Sequence, residues 1–366
     1  MPRAPLLVLV IAMLACAPAR ADAPRVQVEA DRAAAEHALA ILDTLAAGRE
    51  PAAADWQNLF ATAGYRRLKA RESGMGRAFT DADFQAFLRS PEALAKRTGW
   101  HVALDRWSTG LVAPAAARAF AYLPPGAVLR ATIFPMIKPR PNQFVFDLTG
   151  DPAIFLYLDP AVSPAKAANT MAHELHHIGM GAACNTADAS GTGGAAALRP
   201  WMGAFGEGLA MMAAAGGPDR HPHADSPAAE RAEWDANAAR FAEQLAEQNR
   251  FFLDVLDGRA GDSAAIEARM RGYFGVQGPW YTVGWRMAQV IERNLGRAAA
   301  IDAFCRSDTL LAVYNDAAAR QADDGGVSLP RWDAGLAAAL AVPARLAHHR
   351  GHGYSARRRN SPQARS

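Results

Sequence analysis

The stretch Met171-Ala172-His173-Glu174-Leu175-His176-His177-Ile178-Gly179 decides how this chain is interpreted, because it contains the pattern HExxH within a predicted helix. Residues four apart on an α-helix return to the same face about 6 Å along its axis, so the imidazoles of His173 and His177 can bind one zinc ion together. Glu174 lies one step around the helix, where its carboxylate can act as a general base. The spacing predicts a zinc site in which one helix supplies two ligands and a base.

The ends of this helix are also marked in the sequence. Ser163 is suited to the N-cap, Pro164 to the first helical position, and Gly179 to a left-handed residue that ends the helix. His176 points away from the two spaced histidines, which predicts a packing residue or one that supports a ligand. The alternative for the whole motif is an amphipathic helix that carries three histidines without a metal.

A third zinc ligand is expected on a later helix, because catalytic zinc sites usually have three protein ligands. Glu207 lies in residues 201–210, WMGAFGEGLA, a second predicted helix that begins at Pro200. A lone carboxylate among apolar residues is costly to bury unless a cation compensates its charge. Gly206 and Gly208 are expected to let this helix approach the first one closely. Glu207 is the predicted third ligand, and a carboxylate on a solvent-facing stripe is the alternative.

Other candidate ligands fit the pattern less well. The extended motif HExxHxxGxxH is not continued, because Met180 and Ala183 occupy its glycine and third histidine positions. Cys184 offers a sulfur ligand in the turn that leaves the helix, but a thiolate would weaken zinc as a Lewis acid. His221 and His223 lie in a loop rich in Gly and Pro, where they are expected to line the site or to be solvated.

HExxH followed by the glutamate of EGLA on a later helix resembles the gluzincin metallopeptidases, and bacterial families described as zinc-dependent peptidases of unknown substrate. The resemblance covers about residues 140–315. It implies one Zn2+ ion per chain, held by His173, His177 and Glu207. It also implies a peptide or protein substrate that is hydrolysed with Glu174 as the general base.

Two further segments agree with that resemblance. Residues 153–160, AIFLYLDP, are a predicted strand before the zinc helix, and in gluzincins such a strand is the edge along which an extended peptide lies. Tyr281 and Gly284 match a Tyr-x-x-Gly helix that packs behind the site. The resemblance implies that the Tyr281 hydroxyl donates a hydrogen bond to the oxyanion, whereas a packing role beside two tryptophans agrees equally with the sequence.

The first residues predict export from the cytoplasm. Arg3 gives a positive start, residues 6–16 form an apolar stretch too short to span a bilayer, and Ala19-Arg20-Ala21 matches a cleavage site. We therefore predict a signal peptide over residues 1–21 and a periplasmic or secreted mature chain, with lipid attachment at Cys16 as the alternative. No other stretch approaches the roughly twenty apolar residues of a transmembrane helix, so no spanning segment is expected.

Two cysteines remain after the signal peptide, Cys184 and Cys305. In an oxidising compartment they either form a disulfide bond or stay two separate buried thiols, and their positions in the sequence do not choose between the two. A bond would close a loop long enough to stabilise the fold by about 4 to 5 kcal/mol.

Composition favours a helical, globular protein and gives no sign of nucleic-acid binding. Hydrophobic residues make up 51% of the chain, and alanine is frequent. The formal net charge of +3 comes from the two ends, because acidic residues outnumber basic ones once the signal peptide and the tail are excluded. Residues 345–366 are predicted to be a disordered basic tail, since they have no apolar periodicity. The sequence carries no signal for an oligomeric state.

The predicted fold class is α+β and mostly α-helical, with a small mixed sheet packed on the zinc helix. An N-terminal helical subdomain over 22–125 precedes a gluzincin-like zinc peptidase domain over 126–344. Helices are predicted near 28–47, 51–71, 80–97, 228–256 and 278–295, the third capped by Thr80 or Asp81, and strands at 128–134, 143–148 and 154–158.

Two other function classes are compatible with the sequence. The first is a non-catalytic secreted binding or structural protein on a peptidase-like scaffold. Glu174 argues against it, since a structural zinc site needs no general base and usually has a fourth Cys or His ligand. The second is a non-proteolytic metal hydrolase or a metal carrier, for which the tail histidines His348, His349 and His352 are the only separate support.

Overall fold

The computed structural model describes residues 25–107, 110–148, 150–184 and 193–341, so the predicted signal peptide and basic tail lie outside the described residues. The strands are β1 Val26–Ala30, β2 Leu129–Met136, β3 Phe144–Phe146 and β4 Ala153–Tyr157. The first helices are α1 Ala33–Ala46, α2 Ala53–Ala61, α3 Ala63–Gly74, α4 Asp81–Leu88, α5 Pro91–Trp107, α6 Val112–Phe120 and α7 Pro164–Ala183. The later helices are α8 Gly194–Met202, α9 Gly206–Ala215, α10 Ala228–Ala239, α11 Phe241–Leu256, α12 Ser263–Gly272, α13 Pro279–Leu295, α14 Arg297–Cys305, α15 Leu310–Asp323 and α16 Ala334–Leu340.

The four strands form one small mixed sheet in the order β1-β2-β4-β3. β1 and β4 run parallel to β2, and β3 runs antiparallel to β4. At the centre, the Phe155 ring stacks between the rings of Phe134 and Phe144, with centroid distances of 5.1 and 5.0 Å. The sheet packs against α7. The predicted fold class, mostly α-helical with a small mixed sheet, is confirmed.

The strand before α7 is not an edge strand, so that expectation is wrong. β4 lies between β2 and β3, because residues 144–146 return antiparallel and pair with it. This pairing ends at Phe155, whereas Leu156 and Tyr157 are paired only with β2 in the described sheet. The last residues of β4 therefore have no strand partner on the β3 side.

The first described residues form a strand rather than the start of the helix predicted near 28–47. The sequence VQVEA alternates apolar and polar side chains, a period of two that suits a strand. β1 pairs residue by residue with β2, and α1 begins only at Ala33.

Three helices predicted as continuous are each divided in two. Thr62 ends α2 and caps α3, where its hydroxyl accepts the Tyr65 N–H. α5 starts afresh at Pro91, since the residue before a proline avoids the helical conformation. α10 and α11 meet at Arg240, whose backbone departs from helical angles. Thr80 caps α4, as predicted.

Two clusters of buried apolar side chains lie on either side of the interface between α7 and α9. The first is formed by α1 to α7 and the sheet, and the second by α8, α9 and α11 to α16. α7 packs against α9, and α9 packs against α13. The subdomain boundaries 22–125 and 126–344 stay predictions. Within the described part of the chain, no helix has both the length and the apolar character required to cross a bilayer.

A disulfide bond between Cys184 and Cys305 joins the end of α7 to the end of α14, with Cα atoms 5.1 Å apart. Of the two alternatives left by the sequence, the structure shows the bonded one. The bond links residues 121 positions apart and connects the two halves of the fold.

Candidate metal centre

The helix that carries HExxH begins as predicted but ends later. The Ser163 hydroxyl accepts the Lys166 N–H at 3.1 Å, and Pro164 occupies the first turn. Gly179 does not end α7, which continues to Ala183, so that prediction is wrong. A Cβ at position 179 would lie 2.3 Å from a Leu123 methyl carbon. Glycine is therefore needed there for packing and not for a left-handed turn.

The second predicted helix consists of three elements. Pro200 lies inside α8, and a 3-10 helix, Gly203–Phe205, follows before α9 begins at Gly206. Glu207 is consequently in the first turn of α9. The amide dipoles of a helix favour negative charge at this end, which helps to keep the carboxylate ionised.

The close helix contact predicted beside Glu207 is made to a different helix. A Cβ on Gly208 would lie 1.9 Å from the Trp285 backbone nitrogen and 2.1 Å from the Gly284 carbonyl carbon, both on α13. A Cβ on Gly206 would meet nothing within 4 Å. Gly208 therefore permits close contact between α9 and α13, rather than between α9 and α7 as expected.

Three side-chain atoms converge between α7 and α9. The Nε2 atoms of His173 and His177 are 3.0 Å apart, and Glu207 Oε2 lies 3.2 and 3.1 Å from them. Ligands about 2.0 to 2.1 Å from a tetrahedral zinc ion are spaced by roughly 3.3 Å, so this triangle has the size of three tetrahedral positions. Imidazole nitrogens and a carboxylate oxygen that point at one another are stabilised by a proton or a metal cation between them. The three residues fit a zinc ion.

The electrostatics of the three groups also favour positive charge at their meeting point. Burial alone would lower the pKa of His177, but the adjacent Glu207 carboxylate raises it to about 9. Burial would raise the pKa of Glu207, but the two histidines hold it well below its usual range. The side chains of His173, His177 and Glu207 are 14%, 29% and 19% exposed, so a ligand from solvent can reach the centre.

The sequence as a whole matches the model of a family described as "putative zinc dependent peptidase (DUF5700)", over residues 56–323 of the 366. The chain belongs to this family. The match includes all three converging residues. The predicted relationship to zinc-dependent peptidases is confirmed, and the gluzincin grouping stays a prediction. No curated protein and no solved structure matches the chain significantly.

In this member of the zinc-dependent peptidase family, Glu174 lies beside the triangle and is half-buried. Its charge acts on both His177 and Tyr281. The Glu174 carboxylate makes no hydrogen bond to any residue in the ranges that the structure describes. It is therefore free to bind a water molecule or a substrate N–H.

His176, the middle histidine of the motif, is turned into the protein. It is 1% exposed, and its Nε2–H donates to the Tyr122 carbonyl oxygen at 3.2 Å. Burial lowers the pKa of His176 to about 3, so its ring is neutral. This residue connects α7 to the segment after α6, which agrees with the packing role expected from its direction.

Tyr281 reaches the triangle from the first turn of α13. Its ring lies nearly parallel to that of His173, with centroids 6.4 Å apart, and its hydroxyl is close enough to Glu207 for the carboxylate charge to act on it. Burial and the Glu207 charge raise the pKa of Tyr281, so the phenol keeps its proton. The structure thus places a protonated donor next to the third candidate ligand.

His223 was expected, together with His221, to line the site or to be solvated, and the structure shows it buried. It is 6% exposed, and its ring packs against Trp234 at 5.1 Å. Its Nδ1 lies 2.9 Å from the Ser226 hydroxyl, whereas its Nε2 is buried and has no partner in the described part of the chain. Burial, followed by the Lys166 charge and others that include His173, lowers the pKa of His223 to about 4.

The two histidines of the loop after α9 therefore differ. His221 is half-buried and bonds to Asp235 at 2.8 Å, on the outer side of α10. His223 faces inward, because Ser226 and Glu230 follow it at spacings that return to its Nδ1, at 2.9 and 3.7 Å. That spacing, His-x-x-Ser-x-x-x-Glu, is the only sequence signal that could have distinguished them.

Proposed function

We propose that this protein is an exported zinc metallopeptidase that hydrolyses peptide bonds at the centre between α7 and α9. In this proposal His173, His177 and Glu207 hold one zinc ion, and Glu174 is the general base. The observation that supports it most is the triangle of lone-pair atoms with sides of 3.0 to 3.2 Å beside a carboxylate without a hydrogen-bond partner among the described residues.

Zinc at this position would polarise the scissile carbonyl and lower the pKa of water toward about 7. Glu174 accepts the proton of the attacking water and later transfers it to the leaving amine. The carboxylate can serve in both steps because it lies beside the triangle without belonging to it.

In this proposal two donors stabilise the negative charge that develops during peptide hydrolysis. Tyr281 supplies its phenol O–H, which stays protonated because its pKa is raised. His223 supplies Nε2–H. The Lys166 ammonium donates to the Ser226 hydroxyl at 2.7 Å, and that hydroxyl lies 2.9 Å from His223 Nδ1. The proposal takes the neutral ring in the tautomer that carries its proton on Nε2.

The disulfide bond supports the predicted periplasmic or secreted location. Stable disulfides are rare in the reducing cytosol and common in exported proteins. The bond between Cys184 and Cys305 therefore agrees with the signal peptide predicted over residues 1–21, which lies outside the described residues.

A peptide-library digest of the zinc-loaded protein tests the proposed function. We expect cleavage that a chelator abolishes and zinc restores. Glu174→Gln should lower kcat by about 10³-fold and retain zinc, because only the proton-accepting group is removed. Glu233→Gln, on the exposed side of α10, is the matched control. A Glu174→Gln protein that cleaves as fast as wild type would contradict the mechanism.

A further inference from the structure

A cavity of about 240 Å³ lies beside the candidate metal centre, between α5, the end of β4 and the first turns of α7. Pockets that hold a whole small-molecule ligand usually have volumes of roughly 300 to 1,000 Å³. This cavity is smaller, so its volume suits one side chain of a longer substrate.

The cavity opens on the same face of α7 as Glu174. Ala167 and Thr170 line it. Seven residues make almost two full turns, so Ala167 lies nearly in line with Glu174 and about 10 Å before it, and Thr170 lies one turn before it. Neighbouring residues of an extended peptide are about 3.3 to 3.6 Å apart. A peptide with its scissile carbonyl at Glu174 can place a side chain in the cavity within about three residues.

The lining of the cavity is apolar at its base. Ala103, Trp107 and Leu156 are buried and form the part furthest from solvent. At the end nearer His223, the Lys166 ammonium is paired with the Glu230 carboxylate at 2.7 Å. Arg106 and Asp159 are a second pair of opposite charges in the lining, so the four charged side chains carry no net charge and do not favour a substrate charge of either sign. The apolar bottom of the cavity, which includes the Trp107 indole ring, favours a large apolar side chain.

The end of β4, which has no strand partner on the β3 side, contributes to the same cavity. Leu156 and Tyr157 line it, and both lie beyond the residues that pair with β3. Pro141 and Gln143, just before β3, form the exposed rim on that side. An extended segment can therefore pass along the end of β4 and direct one side chain between α5 and α7.

We propose that this cavity is the subsite that selects a large apolar side chain, aromatic or branched aliphatic, within about three residues of the scissile bond. The proposal rests on the peptidase function proposed above. It assigns substrate selection to Trp107, Leu156 and Ala167, none of which belongs to the candidate metal centre.

The test uses the full zinc-loaded chain and peptides blocked at both ends, in which each position in turn is Phe, Leu, Ala or Asp. Wild type should prefer Phe or Leu over Ala and Asp at one position by about 10- to 100-fold in kcat/KM. Ala167→Phe fills the cavity and should remove this preference while cleavage of the Ala peptide continues. Ala165→Phe, on the exposed opposite side of α7, is the matched control and should leave the preference unchanged.

A binding measurement separates this subsite from the peptidase proposal. The anisotropy of fluorescently labelled Phe and Ala peptides is measured with Glu174→Gln, alone and combined with Ala167→Phe or with the milder Ala167→Leu. Tighter binding of the Phe peptide that only the Ala167 variants weaken supports the subsite, even if wild type cleaves nothing. Cleavage with no apolar preference, or a preference that both Ala167 variants retain, overturns the subsite and leaves the peptidase proposal intact.

Discussion

The two halves of the candidate centre differ in how their residues are brought together. α7 supplies His173, Glu174 and His177 from five consecutive positions, whereas Glu207, His223 and Tyr281 come from three separate segments. On α7, helix geometry alone places the groups on neighbouring faces. On the other side, tertiary contacts hold every group in place. A continuous motif can therefore be interpreted from the sequence, but its partners depend on packing.

The two halves of the centre lie on two parts of the fold that the disulfide bond connects. Removing this bond is the most direct way to weaken that connection. Replacing both Cys184 and Cys305 by Ser should lower the free energy of unfolding by about 4 kcal/mol, because the closed loop spans 121 residues. Denaturant unfolding of both proteins measures the change. Equal stability would show that packing between α7 and α9 holds the halves together without the bond.

Removing one of the two proposed hydrogen-bond donors, Tyr281 or His223, should have the next largest effect. Tyr281→Phe and His223→Ala should each lower kcat by about 10²-fold, since each removes one hydrogen bond to developing negative charge. Zinc content should not change, because neither residue belongs to the triangle. His221→Ala, in the same loop but bonded to Asp235, is the control for His223. A loss that appears only in KM would assign these residues to substrate binding instead.

The contact between α9 and α13 can be tested with a pair of neighbouring glycines. Gly208→Ala should destabilise the fold by about 1 to 3 kcal/mol, because its Cβ would overlap the α13 backbone. Gly206→Ala has open space around it and should cost nothing. Thermal unfolding gives the melting temperatures of the two variants, and Gly208→Ala should melt at the lower temperature. Similar melting temperatures would mean that the helices separate without penalty.

The smallest expected effect is a pH dependence of stability caused by His223. Its pKa of about 4 in the folded protein is below the ordinary 6.5, so the unfolded chain binds the proton more readily. This contribution is fully present above about pH 6.5 and is lost as the pH falls toward 4. Denaturant unfolding of metal-free protein at pH 7 and pH 5 should show a smaller loss for His223→Gln than for wild type. An unchanged loss would place the ring in a solvated position.

The success of the secondary-structure predictions also depended on whether a feature has a local or a tertiary cause. The N-caps at Ser163 and Thr80 and the mixed sheet could be predicted, because capping and alternation act over a few residues. The packing role of Gly179 could not, since the leucine that approaches it comes from another segment. The edge position expected for β4 came from the resemblance to gluzincins, and the strand predicted at 143–148 pairs with β4 as β3 instead.

The same distinction between local and tertiary causes separates the site residues that could be predicted from those that could not. Glu207 could be proposed because a buried carboxylate needs a cation, a local argument about charge. The inward direction of His223 depends on Ser226, Lys166 and Trp234, which come from the loop, α7 and α10 respectively. Sequence reasoning had no means to bring these three together.

The central claim is that the two halves share one zinc ion, and metal analysis of the purified chain tests it most directly. Zinc content and affinity are measured for wild type, for Glu207→Ala, and for Glu233→Ala as an exposed control. The account predicts one zinc per chain in wild type and in the control, with affinity at least about 100-fold weaker in Glu207→Ala. A folded wild type that binds no zinc when supplied with it, or a Glu207→Ala protein that binds zinc as tightly as wild type, would contradict it.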